Sequence, residues 1–200
     1  MTRNISLIGM PGAGKTVVGQ ALAAQLGWQC IDTDRLIEKD AGASLQQLLD
    51  DRGYLALRQL EEAQVLSLST SETVISTGGS VVYSQAGMRH LMDFSTVVFF
   101  DIDLATVKRR IQNIDQRGIA SAQDQSLDMI FEELFPLHRE YAQLSLPNAE
   151  GSAEQAVLEI LSKLEVGVPK SYRNRYRLGA VGNRVSNRCL LVRDLGHRHS

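Results

Sequence analysis

Hydrophobic positions along the chain fall into short runs that alternate with longer, partly polar segments. Four runs are rich in β-branched or aromatic residues and predict strands: NISLIG, WQCID, TVIST and STVVFFDID. Several longer segments predict helices, among them KTVVGQALAAQL, DRLIEKDA and LATVKRRIQNI. Strands that alternate with helices favour a parallel sheet covered on both faces. We therefore predict a three-layer α/β/α fold with a central parallel sheet of about five strands.

Residues that start and stop helices support this pattern. Gly27 follows the first predicted helix and marks its C-terminus. Ser44 and Gln47 have the spacing of a capping box, which predicts the start of a broken helical stretch over SLQQLLDDRGYLALRQLEEAQVLSLS. The last two predicted helices are SLDMIFEELFPLHREYAQLS and SAEQAVLEILSKL, and the compact domain ends near Glu165.

The C-terminal segment differs from the rest in charge and pattern. From Lys170 to Ser200 there are eight Lys or Arg and one Asp, a local charge of +7, so the remaining 169 residues carry −9. This segment has no clear periodicity. We predict a domain over residues 1–166 and a basic, poorly ordered tail over residues 167–200. A tail without a specific partner is the favoured interpretation, and an acidic or nucleic-acid partner is the alternative.

The overall composition, with 44% hydrophobic and 22% charged residues, is that of an ordinary globular protein. No apolar run is long enough to cross a bilayer, and the N-terminus has no signal-peptide pattern. Cys30 and Cys189 form no metal-ligand spacing, which favours free thiols in a reducing compartment. We expect a cytoplasmic monomer without membrane or nucleic-acid association.

The segment GMPGAGKT, from Gly9 to Thr16, has the spacing of a phosphate-binding P-loop. Glycines let the backbone turn so that N–H groups point at a phosphate, at the positive end of the next helix. The lysine of this motif bridges the β- and γ-phosphates, and the threonine hydroxyl is a ligand of Mg²⁺. The predicted nucleotide-binding residues here are Gly12, Ala13, Gly14, Lys15, Thr16 and Val17.

Chain length and the remaining motifs favour a small phosphoryl transferase. Large mechanical ATPases need a longer chain, and no NKxD-type guanine-recognition segment is present. In CIDTD, Asp32 and Asp34 stand at i and i+2 of a predicted strand end, so both carboxylates are expected to face one cavity. One would hold the hydration shell of Mg²⁺ and the other would take a proton from the attacking hydroxyl. The alternative is that the pair only caps the following helix.

Two further segments predict the binding of an acidic acceptor. In LRQLEE, Arg58 shares a helix face with Glu61 and Glu62. Arginine is the natural fork for a carboxylate, and a neighbouring glutamate would hold the fork in place, although a surface ion pair is the plainer explanation. In TGGS, Gly78 and Gly79 bring backbone N–H groups to a strand end, where open α/β sheets bind ligands.

Taken together, GMPGAGKT, DTD, GYLALRQLE and TGG resemble, in this order and spacing, the shikimate kinase family, which is nucleoside-monophosphate-kinase-like. The resemblance runs from about Asn4 to Leu164. It implies transfer of the ATP γ-phosphate to the 3-hydroxyl of shikimate. It also implies that Asp34 activates the hydroxyl, and that Asp32 anchors Mg²⁺ through water with Thr16.

The same resemblance implies roles on both substrates. Arg58 would bind the acceptor carboxylate with Glu61 orienting it, while Gly78 and Gly79 would present amides. A lid over residues 113–125 would carry Arg117 to the phosphates. Arg110 would lie against the adenine, and the loop from Asn148 to Ser152 would close over it.

The sequence departs from the family at several positions. Ser80 replaces the third glycine of the GGG motif, and Gly118 follows Arg117 where the family has proline. Leu134 stands where the family has a second carboxylate-binding arginine, and His138 replaces a tyrosine. Loss of one charge-assisted hydrogen bond weakens affinity by about 10- to 100-fold.

These departures leave three interpretations of the acceptor site. Shikimate is bound weakly, or Arg139 or another group replaces the lost arginine, or the acceptor is another polyol or sugar acid. A helical offset of five residues places Arg139 on a different face from Leu134. A nucleotide-binding protein that has lost phosphotransfer is the alternative from a different class.

Overall fold

The computed structural model describes residues 4–111, 125–147 and 151–164. Within them the strands are β1 (Asn4–Gly9), β2 (Gln29–Asp32), β3 (Thr73–Ser76), β4 (Thr96–Asp101) and β5 (Leu144–Pro147). The helices are α1 (Lys15–Leu26), α2 (Thr33–Ala41), α3 (Leu45–Leu66), α4 (Gln85–Phe94), α5 (Leu104–Arg110), α6 (Leu127–Tyr141) and α7 (Ala153–Lys163). Every strand pair is parallel, in the order β2-β3-β1-β4-β5, which confirms the predicted α/β/α fold.

The register of the sheet brings three strand ends to one edge. Ser76 at the end of β3 pairs with Leu7 of β1 on one side and with Asp32 of β2 on the other. The P-loop, the Asp32 segment and the TGGS turn leave the sheet at this carboxyl edge. In open parallel sheets this edge is the ligand-binding edge.

The core is built from aliphatic and aromatic residues of the inner strands. Leu7, Ile8, Ile75, Phe99 and Phe100 have no exposed surface. All six residues of β1 and the four inner residues of β4 are buried, as a sheet covered on both faces requires. The strands therefore hold the loops at the carboxyl edge on a rigid base.

Helix boundaries follow the predicted signals. Gly27 ends α1 with φ 70°, and Ser44 with Gln47 forms a complete capping box at the start of α3. Gly53, with φ 77° and ψ 167°, interrupts α3, which confirms the predicted break. The second half of α3 is thus a separate helical segment that begins after Gly53 and contains Tyr54 and Arg58.

The structure corrects three details of the predicted elements. Helix α6 ends at Tyr141, and the strand β5 (Leu144–Pro147) includes Leu144 and Ser145, which were predicted as the end of that helix. Helix α4, with the short 3₁₀ turn Val81–Tyr83 before it, carries no prediction. Asp34 lies in the first turn of α2 rather than on β2, so the strand alternation used to orient its carboxylate is wrong.

Several predictions fall outside the described residues. They concern Arg117, most of the lid at 113–125, residues 148–150 of the predicted adenine loop, and the tail at 167–200. None of the described helices combines the length and apolar character that a membrane span needs.

The contact between α1 and the sheet generates a stability prediction. A Cβ on Gly19 would stand 2.5 Å from Ser76 Oγ and 3.3 Å from Leu7 Cδ1. We expect Gly19→Val to lower the free energy of unfolding by about 2 kcal/mol, because overpacking of a tight contact costs about 1–3 kcal/mol. Urea unfolding measures the change. Ala24→Val, at an exposed position of the same helix, is the control; equal losses for both variants would contradict the packing argument.

Candidate active site

The P-loop adopts a backbone that only glycine tolerates well. Gly12 and Gly14 have φ values of 77° and 96°. A Cβ on Gly12 would also lie 2.9 Å from Ile111 Cγ1. Val17, in the first turn of α1, is 62% exposed. The loop has the shape of a main-chain phosphate cradle at the start of α1.

Lys15 lies buried at the centre of the site. Its Nζ donates hydrogen bonds to the carbonyl oxygens of Gly9 at 2.7 Å and Met10 at 3.0 Å. Burial lowers the pKa of Lys15 from 10.5 to about 8, and three carboxylates oppose this by attracting its charge, those of Asp34, Asp32 and Glu61. The ammonium group is therefore charged below pH 8.

Thr16 and Asp32, the two residues predicted to anchor Mg²⁺, lie side by side. Thr16 Oγ1 donates to Asp32 Oδ2 at 2.7 Å. The other oxygen, Asp32 Oδ1, accepts from the backbone N–H of Arg35 at 3.3 Å and caps α2. Asp32 thus performs the capping role that was the alternative and also presents an oxygen beside the P-loop hydroxyl.

Asp34 is the carboxylate with an unpaired oxygen. Its Oδ1 is buried and has no hydrogen-bond partner among the described residues. Burial raises the pKa of Asp34 from 3.8 to about 6, against the attraction of Lys15. A carboxylate in this state is ionised at neutral pH and is a stronger base than an exposed one.

The TGGS turn packs tightly against these groups. A Cβ on Gly78 would stand 2.6 Å from both Asp34 Oδ1 and Glu61 Oε1, and one on Gly79 would stand 2.6 Å from Pro11 Cγ. Only glycine allows this approach. The N–H of Gly78 donates to Thr33 Oγ1 at 3.2 Å, so this amide, predicted to face the acceptor, is already engaged.

Glu61 is buried and bonded to the residue that departs from the family pattern. Ser80 Oγ donates to Glu61 Oε2. Burial, with a smaller effect of Asp34, raises the pKa of Glu61 to about 7, while the Ser80 bond and the Arg58 charge lower it. Ser80 has φ −91°, which any residue adopts, so the backbone here does not require glycine.

Arg58 is held by two aromatic rings. Its Cζ lies 3.4 Å from the ring centroid of Tyr83 and 5.1 Å from that of Tyr54. Arg58, Glu61, Ser80 and Tyr83 line one cavity of about 340 Å³.

The sequence analysis did not identify Tyr54 or Tyr83 as residues of the site. Tyr54 is four residues before Arg58 on the same helix, a spacing that could have revealed it, whereas Tyr83 has no local signal.

Helix α6 turns an apolar face toward the sheet where the family has an arginine. Leu134 is 1% exposed and His138 is fully buried, whereas Arg139 is exposed. The offset of Arg139 from the inner face of α6 is thereby confirmed. Arg139 therefore does not share the inner face on which the family's second arginine would stand.

His138 is a buried neutral imidazole. Its ring stacks on that of Phe99, with the ring centroids 5.7 Å apart. Burial lowers the pKa of His138 to about 3; the charge of Lys15 acts in the same direction, and the main chain of Gly79 opposes it. The position is therefore uncharged at neutral pH and adds no cation to the site.

Arg110, predicted to lie against the adenine, contacts the P-loop. Its Nη1 donates to the Ala13 carbonyl at 3.0 Å and stands 3.7 Å from the Cβ that Gly14 lacks. Its contact with adenine stays a prediction. Arg117 lies outside the described residues, and its role stays a prediction as well.

Comparisons with known proteins agree with this geometry. The family model described as shikimate kinase matches residues 11–165. Shikimate kinase from Actinobacillus succinogenes is 34% identical over 168 residues, 82% of this chain and 95% of that protein. Shikimate kinase from Persephonella marina is 31% identical over 163 residues, 81% of this chain and 99% of that protein.

A solved structure extends the likeness to three dimensions. Shikimate kinase from Acinetobacter baumannii in complex with shikimate is 28% identical with a TM-score of 0.76, over 84% of this chain and 95% of that chain. Because the family model spans well over half of the chain and curated relatives above 30% identity cover four fifths of it, this chain belongs to the shikimate kinase family and is an ATP-dependent small-molecule kinase.

Proposed function

We propose that this enzyme transfers the γ-phosphoryl group of ATP to the 3-hydroxyl of shikimate, as a cytoplasmic monomer. The observation that carries the proposal is the unpaired Oδ1 of Asp34, buried between the P-loop lysine and the wall of the Arg58 cavity. Family membership and a relative solved in complex with shikimate support this acceptor.

Asp34 is the proposed base. Its pKa of about 6 keeps it ionised at neutral pH, and its Oδ1 has an acceptor position free for a hydroxyl proton. A positioned base with such a pKa contributes about 10²- to 10⁴-fold to the rate. Lys15 faces Asp34 and would move from its loop carbonyls to the transferred phosphate, where it offsets the developing negative charge.

Thr16 and Asp32 are the proposed site of Mg²⁺. The hydroxyl and the carboxylate place two oxygen atoms 2.7 Å apart at the start of α1, the type of ligand that Mg²⁺ prefers. Among the described residues there is no group of three or more His, Cys, Asp or Glu side chains that could enclose a metal. An Mg²⁺ ion held here would complete its coordination with phosphate oxygens of the substrate and with water, and it would neutralise phosphate charge.

Acceptor binding rests on Arg58. The inner face of α6 presents Leu134 and a neutral His138, so it supplies no second cation. Arg58 lines the 340 Å³ cavity and is the proposed fork for the single carboxylate of the acceptor. This single fork is also the observation that favours the second candidate, a kinase of another monocarboxylated polyol or sugar acid.

A coupled ADP-release assay with ATP and Mg²⁺ tests the proposal. Release that saturates with shikimate supports it. If no ADP is released with shikimate but ADP is released with another hydroxy acid, the second candidate is supported. ATP binding without turnover on any acceptor would indicate lost phosphotransfer.

The base assignment predicts the effect of removing the Asp34 charge. Asp34→Asn keeps the shape but cannot accept the proton, so we expect turnover to fall by about 10²-fold or more with nearly unchanged ATP affinity. Steady-state kinetics and nucleotide titration measure the two effects. Asp40→Asn, at an exposed position of the same helix, is the matched control. Near-normal turnover of Asp34→Asn would remove Asp34 from its role.

Placing an arginine at position 134 should increase the affinity for the acceptor carboxylate. If Leu134 stands where an arginine would reach the carboxylate, Leu134→Arg should lower the KM for shikimate by about 10-fold, the value of one charge-assisted bond. Leu134→Met, which keeps the position apolar, is the control. A higher KM in Leu134→Arg, in protein that melts at the wild-type temperature, would show that the ligand needs the apolar surface.

A further inference from the structure

Tyr83 stands out because it touches Arg58 from a different part of the chain. Arg58 belongs to α3, whereas Tyr83 ends the 3₁₀ turn that follows TGGS. The distance of 3.4 Å from Arg58 Cζ to the Tyr83 ring centroid is a face-on contact. Both side chains are half-buried and line the same cavity.

The Tyr83 ring is itself anchored. Burial raises the pKa of Tyr83 to about 12, and a hydrogen bond to Glu133 of α6 adds to the effect, whereas the charge of Arg58 and its hydrogen bond to Tyr83 lower that pKa. The phenol therefore stays protonated and donates a hydrogen bond to the Glu133 carboxylate. Glu133 also accepts from Gln125 Nε2 at 3.0 Å, so its carboxylate accepts hydrogen bonds from two side chains.

An arginine stacked on a ring can still direct N–H donors of its guanidinium group at a ligand. An aromatic ring contacts the flat face of a guanidinium group, while the N–H donors point outward in the plane of the group. That plane is the one in which a carboxylate binds as a fork. Holding the plane in advance lowers the entropy that is lost when the ligand binds.

The demand on this contact is high because Arg58 has no second cation beside it on α6. Leu134 is apolar, and His138 is neutral. We propose that Tyr83 is a positioning residue for acceptor recognition: its ring, tied to Glu133, holds the Arg58 fork toward the carboxylate. This inference rests on the proposed function, and it assigns to Tyr83 a role that acts only on acceptors with a carboxylate.

The test compares Tyr83→Leu and Tyr83→Phe with the wild-type enzyme, using shikimate and its methyl ester as acceptors. Tyr83→Leu removes the ring and should raise the KM for shikimate by about 10-fold. Its kcat and its KM for ATP should stay within about 2-fold. Tyr83→Phe keeps the ring but loses the bond to Glu133, and it should raise the KM less than Tyr83→Leu does. Tyr54→Leu, whose ring is farther from Arg58, should have the smaller effect.

The methyl ester separates positioning from a general effect on the cavity. Because the ester has no charge for Arg58 to bind, Tyr83→Leu should leave unchanged its KM or, where the enzyme does not phosphorylate it, its inhibition constant against shikimate. An equal rise for acid and ester, or an unchanged KM for shikimate in an enzyme whose wild type uses it, would overturn the role of Tyr83 and leave the proposed function standing. A wild-type enzyme that is silent with shikimate would overturn the proposed function and this inference together.

Discussion

The buried ammonium group of Lys15 is the charge on which the arrangement of this site depends. Removing such a charge from water costs several kcal/mol unless it is paired and hydrogen-bonded. Here the carbonyl oxygens of Gly9 and Met10 accept its protons, and carboxylates from β2, α2 and α3 attract it. The sheet order makes this possible, because β1 lies beside β3, and β3 beside β2.

Burial also raises the pKa values of two of these carboxylates, those of Asp34 and Glu61. Asp34 and Glu61 lie on either side of the position where Gly78 has no side chain, and desolvation is the largest effect on both. Ser80, which departs from the family glycine, donates a hydrogen bond to Glu61 and so supplies a partner that glycine cannot. The departure is therefore compatible with the site rather than damaging to it.

Sequence reasoning succeeded where local structure depends on local pattern. The left-handed glycines of the P-loop and the capping box at Ser44 follow from short motifs with fixed geometry. The strand over Leu144–Pro147 was missed because four residues carry little periodicity next to a long amphipathic helix. Asp34 was predicted at the end of a strand, but it lies in the first turn of α2. Asp32 caps this helix, which therefore already begins at Thr33.

Other features of the site could not have been read from the sequence. The contact between Arg58 and Tyr83 joins residues 25 positions apart, and no local motif links them. The engagement of the Gly78 amide by Thr33 depends on how β2 and β3 end side by side. Both contacts arise from tertiary packing between residues far apart in the chain, so no local sequence pattern predicts them.

An NMR titration of the Lys15 side chain in the free enzyme tests this account most directly, with Lys15→Arg used to assign the Cε resonance. We expect the Lys15 ammonium group to titrate with a midpoint near pH 8, because burial lowers its pKa. In Asp34→Asn the midpoint should be lower, since the Asp34 charge raises the pKa of Lys15. A midpoint near the ordinary value of 10.5, unmoved by the substitution, would show that Lys15 is solvated and would contradict the account.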